Sequence, residues 1–194
     1  MRYVFTLLLF VHVAPAFTQK LAFDVILFGN KIGQTVVEQT NKGDTTIVYE
    51  LNSNSEAHIL FTTHKVTLHY ELMFKRGQLI SAYSKGNSNG KVDVTTINWQ
   101  GTRYFMKRSD GNFNVNVPVY CSTTMLFFNE PCDGARVFSE RMGEFRTIKK
   151  VEPGVYKADM QDGLTYYYRY TAGRLTELEM RRGILGSAYL RPAK

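Results

Sequence analysis

The chain reads as an all-β protein: a single antiparallel meander forming a barrel or a curved half-barrel or sandwich, with one short helix or lid near residues 122–128. Two observations carry that expectation. Apolar side chains recur at every second position in run after run, which puts them on one face of an extended strand but would scatter them around a helix. Between the runs stand short segments bearing Gly and Asn, residues that accept the positive φ of tight hairpin turns. A third observation decides where such a sheet would fold.

That observation is the leader. Arg2 supplies a positive start, Val4 to Val13 make a ten-residue, mostly apolar run, and Ala14-Pro15-Ala16 offers small residues at the spacing a signal peptidase reads. A permanent bilayer anchor takes roughly 20 residues, so the run is too short to be one. The expected product is cut after Ala16, starts at Phe17, and is periplasmic or secreted; it has no cysteine near the cut to take a lipid anchor. Removing sixteen residues, Arg2 among them, from 194 leaves 178 and lowers the formal charge from +7 to +6. Residues 17–194 then suit a single β-barrel-like domain with a sizeable core. No Pro/Ser-rich linker or low-complexity tract divides them.

Along this stretch the period-two runs appear in order. In Thr45 to Leu51 the alternating set is Ile47, Tyr49 and Leu51. From Lys65 to Lys75, Val66, Leu68, Tyr70, Leu72 and Phe74 share one face, with Thr67, His69, Glu71 and Met73 on the other. Phe113, Val115 and Val117 repeat the pattern, and so do Leu164, Tyr166, Tyr168 and Tyr170. Turn signals stand at Gly29-Asn30, Asn41-Lys42-Gly43-Asp44, Arg76-Gly77, Asn87-Ser88-Asn89-Gly90, Asp110-Gly111-Asn112, Asp162-Gly163 and Gly173-Arg174. Roughly thirteen strands fit, joined by short turns and therefore antiparallel.

The segment from Val119 to Asp133 breaks the alternation. Ser122 is placed to cap a single helical turn that Pro131 stops. Met125, Leu126, Phe127 and Phe128 follow as four apolar residues in a row, more than one face of a short helix can hide. They read either as a lid over an apolar cavity or as a crossover packed on the core. Cys121 and Cys132 flank them and would meet an oxidising compartment after export. A disulfide closing that ring would stabilise by roughly 3 kcal/mol in the loop-closure model; the other reading is two thiols acting as small apolar residues.

Chemistry leaves few marks. The sequence holds no Gly-x-Ser-x-Gly elbow, His-Glu-x-x-His, phosphate loop or dinucleotide fingerprint, so neither catalytic residues nor a cofactor are expected. His64 and His69 have opposite parity on their strand and cannot converge on one metal ion. Glu177 and Glu179 alternate to one face together with Leu175 and Arg181, which reads as a charged, solvated side of a strand. Trp99, Tyr104 and the tyrosines Tyr166, Tyr167, Tyr168 and Tyr170 read as sheet packing or as a ligand box, with Tyr167 on the wrong parity to join it. The excess of basic residues reads as a solvated face that keeps the protein soluble, or as a surface that meets acidic partners such as phosphate-bearing lipids or polysaccharides. Export argues against nucleic acid. An outer-membrane barrel fits poorly, because charges such as Arg103, Lys107 and Arg108 occupy both strand faces.

The stretch Phe23-Asp24-Val25-Ile26-Leu27-Phe28-Gly29-Asn30-Lys31-Ile32-Gly33, Glu130-Pro131 with Gly134 and Val137-Phe138-Ser139-Glu140, and the closing Asp162-Gly163, Tyr168-x-Tyr170 and Gly173-x-Leu175-x-Glu177 carry a likeness. Through them the chain resembles an uncharacterised family of exported, periplasmic bacterial β-rich proteins. The resemblance implies envelope location and a β fold, and brings no catalytic residue with it. The expected function is a non-enzymatic binder of a lipid-like or other apolar ligand. Two alternatives stand beside it: an assembly factor that joins another envelope protein through a sheet edge, and an enzyme with a dispersed site.

Overall fold

The computed structural model describes residues 17–59, 61–160, 163–182 and 186–194. The leader with its cut after Ala16, and Asp162 of the Asp162-Gly163 turn, lie outside them. The strands in chain order are β1 (Thr18–Leu27), β2 (Asn30–Gly43), β3 (Thr46–Ile59), β4 (Thr62–Lys75), β5 (Gln78–Ser88), β6 (Lys91–Trp99), β7 (Tyr104–Arg108) and β8 (Gly111–Val115). A five-residue 3-10 turn, Thr123–Phe127, comes next. After it come β9 (Arg136–Ser139), β10 (Glu144–Thr147), β11 (Lys149–Glu152), β12 (Val155–Asp159), β13 (Leu164–Thr171), β14 (Arg174–Arg182) and β15 (Ser187–Pro192).

Thirteen of these strands form one curved antiparallel sheet in the order β11-β12-β13-β14-β15-β1-β2-β3-β4-β5-β6-β7-β8. The last strand pairs with the first, Val25 opposite Leu190 and Phe23 opposite Pro192, so the two halves of the meander are sewn together in mid-sheet. The sheet does not close: β8 and β11 are its two edges. A sheet that spans lipid has to close, because an unpaired edge cannot be solvated there. Among the described residues no helix is long and apolar enough to cross a membrane.

The hairpins turn where small loops permit. Phe28-Gly29, Arg76-Gly77, Asn89-Gly90 and Ala172-Gly173 all have positive φ at both central residues, the arrangement whose twist matches right-handed strands. Two of these turns lie one residue earlier than the Gly-Asn and Gly-Arg signals place them. Asn30 and Arg174 already begin the next strands, which forces Phe28 and Ala172 into the left-handed region.

Alternation puts one set of side chains on the inner face. Across β2 to β7 one row runs Gln39, Tyr49, Leu72, Ala82, Ile97, Met106. The next runs Leu21, Val37, Leu51, Tyr70, Ser84, Thr95 over β1 to β6. On the other half, Tyr156, Tyr168, Leu178 and Leu190 line up with Val25. These rows build two core clusters, one around Tyr168, Leu178 and Val37, the other around Leu72, Ile97 and Tyr104.

What covers that face is the chain between β8 and β11. Val119, Leu126, Phe127, Val137, Phe138 and Ile148 of this plug are buried among the two clusters. Its β9–β10 hairpin is a separate two-stranded ribbon. Three consecutive residues of β9, Val137, Phe138 and Ser139, are buried, so no alternation marks the strand in the sequence, and the described residues hold fifteen strands. Gly143, at φ +72, closes the turn against β7, where a Cβ would lie 2.2 Å from Met106 Cε.

Leu72, wholly buried under Tyr49 and Ala82, tests the packing. Leu72→Ala is expected to lower stability by about 2–5 kcal/mol in urea unfolding, against about 0.5 kcal/mol or less for Val151→Ala on the exposed edge.

Candidate functional site

Two buried polar pins hold the plug to the sheet, and a third holds the plug's two parts to each other. The first is the hydroxyl of Tyr104, which donates to Leu79 O (2.9 Å) and accepts from Val119 N (3.1 Å), while Leu79 N donates to Val119 O (2.9 Å). The second is Tyr170, whose hydroxyl donates to Leu126 O at 2.6 Å. The third is Glu140. Its Oε2 accepts from Thr123 N (3.3 Å) and Thr123 Oγ1 (2.6 Å), and its Oε1 from Thr124 N (3.1 Å) and from the Thr124 hydroxyl. Only 1% of Glu140 is exposed, and these four donors replace the water it lost.

The expected cap is therefore corrected. Ser122 stands at the cap position with extended backbone, yet its side chain makes no capping bond and is buried without a partner among the described residues. Glu140 takes the role from 16 and 17 residues away in sequence, a separation that local capping patterns do not reach. No signal in the chain announces it.

Below the plug lies a cavity of about 320 Å³, at the small end of the usual range for ligand sites. Its walls come from both halves of the sheet: Tyr70 from β4, Tyr166 and Tyr168 from β13, Leu178 and Met180 from β14, with Phe127 from the plug. Arg108, Arg141 and Asp93 line one side and also line a neighbouring groove of about 570 Å³, reached past Ser88, Lys91, Ser109 and Asp110. They form the mouth. Arg108 donates to Met142 O (2.8 Å) and Asp110 (2.6 Å); Arg141 faces Asp93 at 3.7 Å.

The hydroxyls of Tyr70, Tyr166 and Tyr168 have no hydrogen-bond partner among the described residues. Burial pushes each of them above the ordinary phenol range, with the Glu140 charge adding to the effect on Tyr70 and Tyr168 and Arg141 opposing it on Tyr70 and Tyr166. They stay protonated at neutral pH. The cavity thus offers an apolar wall, three phenol hydroxyls, a polar patch of Thr123, Thr124 and Ser139, and a charged mouth, a surface that suits an apolar molecule carrying an acceptor oxygen.

The residues singled out by sequence fall in different places. Met125, Leu126, Phe127 and Phe128 divide between the two clusters, Leu126 and Phe127 in one, Met125 in the other and Phe128 against both. Phe127 alone of the four lines the cavity. Cys121 and Cys132 are free thiols here. Cys121 is half-buried, and burial followed by the Glu140 charge pushes its thiol up to about 11; Cys132 is exposed. The aromatic set splits: Trp99 packs on Tyr104 at 4.7 Å in one cluster, Tyr166 and Tyr168 face the cavity, and Tyr167 points outward under Arg181.

Glu177 and Glu179 need a correction too. A bulge skips Thr176, with Arg169 opposite Glu177 and Tyr170 opposite Leu175, so Leu175 turns into the core and does not share their face. Glu179 is 3% exposed, not solvated: it lies between Tyr167 and Tyr189 on neighbouring strands and bonds Ser187 (2.8 Å), Arg181 (2.9 Å) and Arg169 (3.3 Å). Burial raises its carboxyl, but Ser187 and the arginines outweigh that and hold it below its ordinary value.

A family described as "Domain of unknown function (DUF6134)" matches residues 23–193. The chain belongs to this family. No curated protein matches, and no solved structure matches. The DUF6134 match takes in every strand from the middle of β1 to β15, the plug, and all the cavity walls.

Two outcomes follow for the domain. Glu140→Ala leaves the Thr123 and Thr124 donors unpaired and is expected to cost at least about 2 kcal/mol in thermal or urea unfolding. Because Glu179 is lowered on folding, its stabilising effect is whole above the ordinary carboxylate range and fades as pH falls through its lowered value. Melting temperatures measured from neutral to strongly acidic pH are expected to decline less steeply in Glu179→Gln than in the wild type.

Proposed function

We propose that this DUF6134 protein is exported and binds, without catalysis, a lipid-like or other apolar small molecule in the cavity beneath the plug. The observation that carries the reading is the wall itself. Leu178 and Met180 of β14 stand beside Tyr168 and Tyr166 of β13 on one wall, and Tyr70 of β4 joins them from the other half of the sheet. A ligand with one acceptor oxygen and an apolar tail would bond a hydroxyl and cover the leucine and methionine beside it. The position of the first strand agrees with export, since β1 opens at Thr18, directly after the expected cut behind Ala16.

A second reading has its own observation. The two edges differ: β11 is short, bulged and carries Lys149, Lys150 and Glu152, the features that blunt an edge, whereas the β8 edge is followed by exposed Val117 and carries exposed Phe113. An assembly factor would accept a partner's strand at β8.

Met180→Trp fills the cavity without touching the plug's pins. Titrating a fluorescent fatty acid into the purified protein is expected to give saturable binding in the wild type and at least about tenfold weaker binding in Met180→Trp. Native mass spectrometry of gently purified wild type is expected to show a bound lipid-sized adduct. Absence of both adduct and probe binding would sink the cavity reading, and crosslinks confined to β8 would favour the second.

A further inference from the structure

The sheet has two rims, and they differ in chemistry. At one rim the turns Asp44-Thr45, Arg76-Gly77, Pro153-Gly154 and Ala172-Gly173 are small or polar, and Phe17 is the large apolar residue exposed beside them. At the other, three large apolar residues project: Phe28 (66% exposed), Ile59 (37%) and Phe61 (fully exposed). Phe28 tips the β1–β2 hairpin and Phe61 the β3–β4 hairpin at the same end of the sheet, and Ile59 closes β3. Phe28 also reaches the end of β14–β15, its Cε1 3.6 Å from where a Cβ on Gly186 would be. The β3–β4 hairpin overshoots its neighbour: the Asn89-Gly90 turn is bonded at Lys65, three residues short of Thr62, a projection of roughly 10 Å at the rise of a strand.

This is also the rim of the cavity mouth, since the groove leading to Arg108 and Arg141 is lined by residues of the β5–β6 and β7–β8 tips. Its charge is unequal. Lys31 and Lys65 are exposed beside the apolar tips, paired with Asp24 (2.7 Å) and Glu56 (2.9 Å), while Lys91 and Arg182 are exposed with no ion partner among the described residues; Asp93 and Asp110 pair with Arg141 and Arg108. Exposed aromatic tips among cations match a bilayer interface that bears anionic headgroups.

We infer that the mouth rim of this protein docks on an anionic lipid bilayer, with Phe28, Ile59 and Phe61 entering the interface and the lysines meeting headgroups. Docking is argued from the rim alone; only the passage of a bilayer lipid into the cavity rests on the proposed function. A protein partner at the same tips is the competing occupant, and the test separates it.

The experiment is co-sedimentation of the protein lacking residues 1–16 with vesicles of phosphatidylcholine alone or with about one third phosphatidylglycerol. Wild type is expected to sediment with the anionic vesicles, less so in high salt. Phe28→Ser/Phe61→Ser is expected to lose about tenfold or more of that partitioning, while Phe17→Ser, at the opposite rim, keeps it. Fluorescent fatty acid binding is measured on the same variants. Retained probe binding in the double variant locates its defect at the rim; loss of probe binding in every variant, with sedimentation intact, defeats the cavity reading and leaves docking standing. Docking is overturned if wild type ignores both vesicles, if the double variant sediments like wild type, or if a photocrosslinker at position 61 captures protein while vesicles capture none.

Discussion

An antiparallel sheet of thirteen strands that stops short of closure has an apolar inner face and no second layer to hide it. The chain meets that constraint with its own middle. Between β8 and β11 it leaves the sheet, returns across the inner face as a 3-10 turn and a hairpin, and only then resumes the meander. Tyr104 and Tyr170 tie this plug to opposite halves of the sheet, and Glu140 holds its two parts to each other. Val119 N meets the Tyr104 hydroxyl, and Tyr170 meets Leu126 O, only when the plug is seated. Sheet and plug therefore stabilise one another, and neither is expected to persist with its apolar surface bare.

The cavity is a consequence of the same arrangement. The plug fills the space over Leu72, Ile97 and Tyr104 but leaves room between β4 and β13, where Tyr70 and Tyr166 face one another's fields. Because the walls come from strands far apart in sequence, the phenols gather only in the folded chain. On the outer side, the Glu179 cluster binds β13, β14 and β15 together near the seam where the chain's ends pair. That cluster stiffens one wall of the cavity from behind, since Tyr167 and Glu179 alternate with Tyr166, Tyr168, Leu178 and Met180 on the same two strands.

Much of the fold was legible in the chain. The β4 alternation places Leu72 and Phe74 in the core, and Arg76-Gly77 and Asn89-Gly90 turn where they should. The errors share a cause. Parity holds only while register is unbroken, and the bulge at Thr176 moved Leu175 off the face of Glu177, while Tyr167 and Tyr189 on the neighbouring strands flank the buried Glu179. At Ser122 the local capping rule met a carboxylate from another part of the chain. At Phe28 and Ala172 the demands of strand pairing outweighed the preference of bulky residues to avoid positive φ.

The residues in their order determined that the body would be β, antiparallel and joined by tight turns, because period and turn chemistry act over a few neighbouring positions. They also marked 122–128 as the break. Whether the sheet closed, which side of it the plug entered, that Glu140 would be the cap and that three tyrosines would face one cavity were decided by the tertiary structure. Those outcomes depend on contacts between strands distant in sequence and on burial, which changes both the cost of a charge and the protonation of a phenol; neither quantity is written in a local pattern.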